Sequence, residues 1–298
     1  MRLPFSMPHI RDIIHKKIVE KEVNPMLELP ESATLARQLD ESVRGLRVVE
    51  ALAGGSAHKF AFFTGDPADY AARLKGRVIM KAEAFGGILE IDLDGLLLLL
   101  SDGANLRLLE PGRPLPEKHQ LLLQLDKGFA LVCKVQMYAG LHLCEAERFH
   151  SKYHQAAHEK PSPLKDSFTL AYFLDLAAAF PKLSAKAFLA TEQRIPGLGN
   201  GTLQDILLRA GIHPRAKLSL LSPKKLEELY LQVRDTLREM TSLDGRDSEK
   251  DLYARPGRYV TLMSKATLDG PCPLCCGPVR RESYLGGNIY FCPHCQAL

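Results

Sequence analysis

Four cysteines near the C-terminal end restrict the fold of this chain more than any other feature. They stand as Cys272-x2-Cys275-x16-Cys292-x2-Cys295 in CPLCCGPVRRESYLGGNIYFCPHC. Two close pairs separated by a hairpin-length insert meet the needs of a tetrahedral Zn–S4 site. The strand-like residues 288–291 feed one pair, and Gly286-Gly287 can form the hairpin turn. The expected cofactor is one structural Zn2+, because four protein ligands leave no position open for water or substrate. A redox pair or free thiols is the competing reading. Cys276 falls outside the paired spacing, and His294 reads as a surface residue. Five of the seven cysteines lie in the last 27 residues, whereas a disulfide-stabilised secreted fold spreads them more evenly.

The remaining composition is that of a water-soluble chain. Of 298 residues, 46% are hydrophobic and 25% charged, with a formal charge of +4. That charge is compatible with nucleic acid as a partner without arguing for it. The opening MRLPFSMPHIRDIIHKKIVEKE has no continuous apolar stretch of the signal-peptide kind, and LLLLL at 96–100 is far too short to cross a bilayer. The sequence therefore predicts a cytoplasmic chain with no membrane partner.

Periodicity divides the chain. Residues 1–25 form a charged extension in which Ile10, Ile13, Ile14 and Ile18 make a weak helical stripe. It reads as an ordered arm or mis-assigned start, or as a helix that contacts a partner or DNA. A helix is predicted from Pro30, with Leu35, Leu39 and Val43 at i, i+4 and i+8 and Gly45 as its stop. Short apolar runs then follow at 47–54, 60–65, 77–85, 87–93, 96–103, 105–109, 119–128, 129–138 and 140–144. They predict a β domain of two packed sheets ending near residue 150. Beyond residue 160, helices are expected at 167–180, 184–192, 201–210 and 223–240, the last opened by Ser222-Pro223.

The segment QRIPGLGNGTLQDILLRAGIHP, residues 193–214, holds three alternating glycines. No strand precedes them, so a nucleotide-binding loop is not the reading. A tight turn at Gly199 feeding a helix start offers backbone N–H groups to a DNA phosphate, and Asn200 can add a side-chain hydrogen bond. Arg194, Arg209, Arg215 and Lys217 add local positive charge. The plainer account is that the glycines only allow close helix packing. Arg280 and Arg281 on the cysteine hairpin are phosphate candidates, or simply a solvated face.

Together, GLGN…D…LLRAGIHP and the closing FCPHCQ resemble the family of formamidopyrimidine-DNA glycosylase and endonuclease VIII. The resemblance covers about residues 26–298. It implies a multidomain α+β fold: a β-sandwich with a leading helix (26–150), a helix–two-turn–helix DNA-binding domain (160–245) and a zinc-ribbon-like hairpin finger (258–298). The implied partner is double-stranded DNA, intact or damaged, and the implied setting is a monomer at the bacterial nucleoid. In that family an N-terminal proline amine attacks C1′ of a flipped nucleotide, a Schiff base forms, and neighbouring glutamates handle protons.

Carried over residue by residue, that machinery is incomplete. Leu27 stands where the proline belongs, Glu28 and Glu31 match the two glutamates, and Gly87 replaces the catalytic lysine. Asp102 falls about where a methionine enters the duplex gap, and Gly287 where a hairpin arginine grips phosphate. Met137 and Tyr138 could still act as a wedge. Three functions are open: DNA recognition without the usual chemistry, an active glycosylase using Glu28 or another group, and a scaffold that no longer binds DNA. His58, Lys59 and Tyr138 are further polar candidates, with a capped loop and a surface aromatic as their plainer readings.

Overall fold

The computed structural model describes residues 26–298 apart from 146–148 and 150. The isoleucine stripe of the leader lies outside the described residues. Helix α1 (Leu29–Val43) carries Pro30 in its first turn, where the missing N–H has no partner to lose. Leu35, Leu39 and Val43 are buried along one face, and Gly45 leaves the helix at φ +83°.

Seven strands follow: β1 (Val48–Ala53), β2 (Ala61–Phe63), β3 (Lys81–Phe85), β4 (Ile88–Asp92), β5 (Leu96–Leu109), β6 (Leu121–Leu125) and β7 (Ala130–Glu145). A short helix α2 (Tyr70–Leu74) separates β2 from β3. The ladder runs β1-β6-β7-β5-β4-β3, antiparallel throughout, with β2 added parallel to β7. The strand expected over 77–85 begins only at Lys81.

The runs at 96–103 and 105–109 are one long strand, as are those at 129–138 and 140–144. What looked like a turn at Asp102-Gly103 is a bulge. The β5–β7 register slips between Asp102 and Ala104, and Asp102 takes φ +58°. A side chain at Gly103 would land on the Gln136 carbonyl. On one side of the bulge β5 and β7 pair with β4 and β2, and on the other β7 pairs with β6. Leu89, Ile91, Leu98 and Leu100 of one half share a core with Val48, Ala51, Leu121 and Leu123 of the other. The sandwich is thus made from one continuous ladder.

The helical part comprises α3 (Lys152–Glu159), α4 (Leu170–Ala179), α5 (Ala185–Ala190), α6 (Thr202–Ala210) and α7 (Pro223–Ser242). Ser151, Thr169, Ser184 and Ser222 each accept a first-turn N–H of the helix that follows. Helix α6 is buried almost all round, through Leu203, Ile206, Leu207, Leu208 and Ala210, and Gly211 closes it in the left-handed region. The second core forms around it, with Phe168, Phe173, Phe188 and Leu229. The final hairpin pairs β8 (Arg280–Tyr284) with β9 (Gly287–Phe291). Its turn is Leu285-Gly286, both at positive φ, and not the expected Gly286-Gly287 pair. Among the described residues no helix is long and apolar enough to cross a membrane.

Candidate functional site

Glu28 occupies the residue before α1, yet its carboxylate serves another helix. Its Oε1 accepts the Gly201 N–H at 2.8 Å and its Oε2 the Thr202 N–H at 2.8 Å. The charge therefore sits on the positive end of α6. Glu31 binds Arg246 through Nε at 2.9 Å, Nη2 at 3.0 Å and the backbone N–H at 3.2 Å. Arg246 also lies 3.8 Å from Glu28 Oε1 and 3.9 Å from Glu249 Oε1. All four side chains are buried. Burial holds the Glu249 carboxyl well above its usual range.

The alternating glycines explain this packing. A Cβ at Gly199 would lie 2.5 Å from Glu28 Cδ, and one at Gly201 would land on Arg246 Nη1. The Gly201 and Thr202 N–H groups of this turn do not stand open to a phosphate. Glu28 already uses both.

Asn200 faces outward instead. Its Nδ2 donates to the Asn288 carbonyl of β9 at 3.1 Å, and Gln204 Nε2 donates to the same oxygen at 3.1 Å. Lys186 of α5 donates to the Tyr284 carbonyl at 2.7 Å. Arg215 pairs with Glu282 at 3.0 Å and lies 4.2 Å over the Tyr284 ring. The glycine turn and the cysteine hairpin thus form one surface, with Arg280 and Arg281 exposed along β8. Lys186 was not foreseen: in AKAFLA it is a single cation inside an apolar helix, with no local sign of facing the hairpin.

The cysteine cluster fits one Zn2+. The Cys272–Cys295 sulfurs are 3.9 Å apart and those of Cys275 and Cys292 3.5 Å apart. Four Zn–S bonds of about 2.3 Å in a tetrahedron put sulfurs about 3.8 Å apart, whereas a disulfide needs about 2.05 Å. All four sulfurs lie within 4.8 Å of one another. Gly277 N–H donates to Cys275 Sγ at 3.4 Å, and Gln296 accepts the Cys292 N–H at 3.0 Å while donating to the Ile212 carbonyl. The hairpin is thereby fastened just beyond the end of α6. Cys276 and His294 are exposed and stand outside the cluster.

A third group lies at the β7 bulge. Met137, at φ +62°, is 50% exposed and Tyr138 is 41% exposed. Phe60 and Phe62 stand beside them at 47% and 51%, held by β2 pairing with β7. Both of these rings of the apolar run at 60–65 face outward. Lys59 lies 5.4 Å over the Phe60 ring, and His58 Nδ1 accepts the Phe60 N–H at 3.3 Å.

No family model matches the chain. It is 30% identical over 278 residues to the formamidopyrimidine-DNA glycosylase of Chloroflexus aurantiacus, covering 91% of this chain and 98% of that one. The chain belongs to the formamidopyrimidine-DNA glycosylase family. The Symbiobacterium thermophilum member of this family is 30% identical over 285 residues, covering 91% of this chain and 89% of its own. A Lactococcus lactis Fpg, solved with abasic-site DNA, matches with a TM-score of 0.78 at 19% identity, over 91% of this chain and 100% of that chain. The MutM (Fpg) protein of Thermus thermophilus gives 0.75 at 23% identity, over 90% and 98%. The structural likeness speaks for the fold alone.

Within the formamidopyrimidine-DNA glycosylase fold, the positions where the family pattern lapses are physically occupied. The Leu27 backbone N–H donates to the Asp102 carbonyl at 2.8 Å. A Cβ at Gly87 would lie 2.6 Å from both the Leu27 carbonyl and Tyr153 Oη, and that hydroxyl accepts the Gly87 N–H at 3.0 Å. Burial pushes the Tyr153 phenol well above its ordinary value, which keeps it neutral. A side chain at position 87 would require the Leu27 carbonyl and the Tyr153 hydroxyl to shift. At Gly287 the nearest groups are Lys186 Nζ at 3.4 Å and Asn200 at 3.6 Å, measured from a Cβ there.

Proposed function

We propose that this chain binds DNA in base excision repair, recognising damaged or distorted duplex without the amine chemistry of its family. The filled space at Gly87 carries the reading: Tyr153 Oη and the Leu27 carbonyl stand where a lysine side chain would begin. Its relatives are named formamidopyrimidine-DNA glycosylases, and Lactococcus lactis proteins of this fold are described in complexes with abasic-site DNA and with FAPY-dG containing DNA. Asn200, Arg215, Arg280 and Arg281 supply a surface for phosphates where the family arginine is missing at Gly287, with the buried Lys186 holding the hairpin behind them through the Tyr284 carbonyl. Gly199 serves it indirectly, by admitting Glu28 so that Asn200 is held outward. Phe60, Phe62, Met137 and Tyr138 supply an apolar ridge able to enter a distorted base step. Glu28, with both carboxylate oxygens committed to α6, supports this reading over water activation.

The test is a gel shift at rising salt, using duplexes with an abasic-site analogue, an oxidised purine, an oxidised pyrimidine or no lesion. Borohydride trapping and base-release assays run beside it. Expected are tighter binding to lesion-bearing duplex, a log–log salt slope of about −0.9 per phosphate neutralised, and neither adduct nor released base. A covalent adduct lost in Lys59→Ala would overturn the inactive reading in favour of amine chemistry. Base release without an adduct would favour hydrolysis assisted by Glu28. Absence of binding at low salt would leave only a scaffold.

A further inference from the structure

Helix α3 brings together a second set of metal-ligating groups, away from the cysteines. His154 and His158 lie one turn apart on the same helix face. Both reach Glu90 of β4: His154 Nε2 is 2.9 Å from Glu90 Oε1, and His158 Nε2 is 2.6 Å from the same oxygen. Ligand atoms of the three residues fall within 4.8 Å of one another. Glu90 is buried, and aromatic rings fix both imidazoles. Phe85 stacks on His158 at 3.8 Å, and Phe149 meets His154 edge-on at 5.1 Å.

Both imidazoles converge on one carboxylate oxygen. His158 hydrogen-bonds to Glu90, and the buried His154 Nε2 pairs with the same Oε1. Two ring nitrogens and a buried carboxylate held this close are the donor set of a zinc-type site.

We propose that Glu90, His154 and His158 form a second metal site, taking a borderline divalent transition ion such as Zn2+. Two imidazoles and one carboxylate suit zinc and its neighbours, whereas Mg2+ and Ca2+ favour oxygen ligands. Bonds of about 2.0–2.2 Å at tetrahedral angles put ligand atoms about 3.4 Å apart. Each N···O pair therefore needs to open by less than an ångström. Three protein ligands leave a fourth position for water or an anion, on the side of an open cleft of about 470 Å³ bordered by Phe149, Lys152, Gln155 and Glu159. The ion would also fasten α3, which at 8 residues has little helical stability of its own. That helix carries Tyr153 to Gly87. The inference stands apart from the DNA reading and does not need it.

The experiment uses the full chain with its cysteine site loaded with zinc. Metal content is measured, and Co2+ is then titrated by visible absorption. One further equivalent is expected at micromolar affinity, with ligand-field bands but without the thiolate charge-transfer band that exchange into the cysteine site would give. Uptake raises Tm. Glu90→Gln and His158→Ala should each weaken that uptake at least about tenfold, the loss that even an outer-shell partner of a metal ligand brings, while the cysteine-bound zinc stays. His158 is partly exposed, so its variant keeps the test valid if Glu90→Gln fails to fold. A folded wild-type chain with no second equivalent at hundred-micromolar metal would overturn the proposal. So would uptake unchanged in His158→Ala.

Discussion

At the residue scale, Glu28 does for α6 what a serine or aspartate does at most helix starts, but from 173 residues away. Its two bonds satisfy N–H groups that α6 cannot pair internally, and Arg246 then links it to Glu31. Removing the cation from such a buried set leaves carboxylates without compensation. Arg246→Met, close in volume, is expected to destabilise folding by about 3–5 kcal/mol, read as a lower urea midpoint. A loss below about 1 kcal/mol would mean that the cluster behaves as an exposed ion pair. The glycine spacing of 197–201 was legible as a turn before a helix. Its occupant was not, because nothing local to GLGNG marks a carboxylate arriving from the other end of the chain. Lys186 was hidden for the same reason.

At the element scale, the cysteine hairpin shows what sequence spacing can specify. The paired spacing for one zinc and the strand leading to Cys292 were readable, because a tetrahedral thiolate site dictates them locally, whereas the hairpin turn fell one residue earlier than expected. The hairpin has a small core of its own: Cys272, Tyr290 and Cys292 pack on Met263 and on Leu208 of α6. Strong chelation should therefore unfold it, since metal binding and folding are one equilibrium in so small a unit. Trypsin provides the readout. Arg280 and Arg281 lie within a paired strand and should resist cleavage until zinc is removed, while the β domain keeps its own thermal transition. Equal cleavage with and without chelator would refute this. Helix α3 was illegible by contrast. KYHQAAHE buries only Ala157 and otherwise turns histidines and a tyrosine inward, so no apolar stripe announces it. The two long strands were split in reading because Asp102-Gly103 carries the composition of a turn at what is a bulge.

At the scale of the whole molecule, the fold is, on the proposed function, its relatives' site in outline without a reactive amine. Glu28 and Glu31 remain beside residue 27, the Asp102 carbonyl holds its nitrogen at 2.8 Å, and Tyr153 closes the space at Gly87. If the architecture still admits a flipped nucleotide, restoring only the nucleophile should restore a covalent step. A chain started at Met26 with Leu27→Pro, its initiator methionine removed, presents a secondary amine where Asp102 accepts a hydrogen. That variant is expected to give a borohydride-trapped adduct with an abasic-site duplex, whereas the same chain started at Met26 with Leu27 retained gives none. Adding Gly87→Lys should abolish the gain by forcing Tyr153 and the Leu27 carbonyl apart, and Tyr153→Ala should recover it. A folded, DNA-binding Leu27→Pro chain that traps nothing would place the obstacle in the cleft itself, not in the missing amine. The retained glutamates would then be parts of the α6 anchor alone, kept for the joint between the two domains rather than for any reaction.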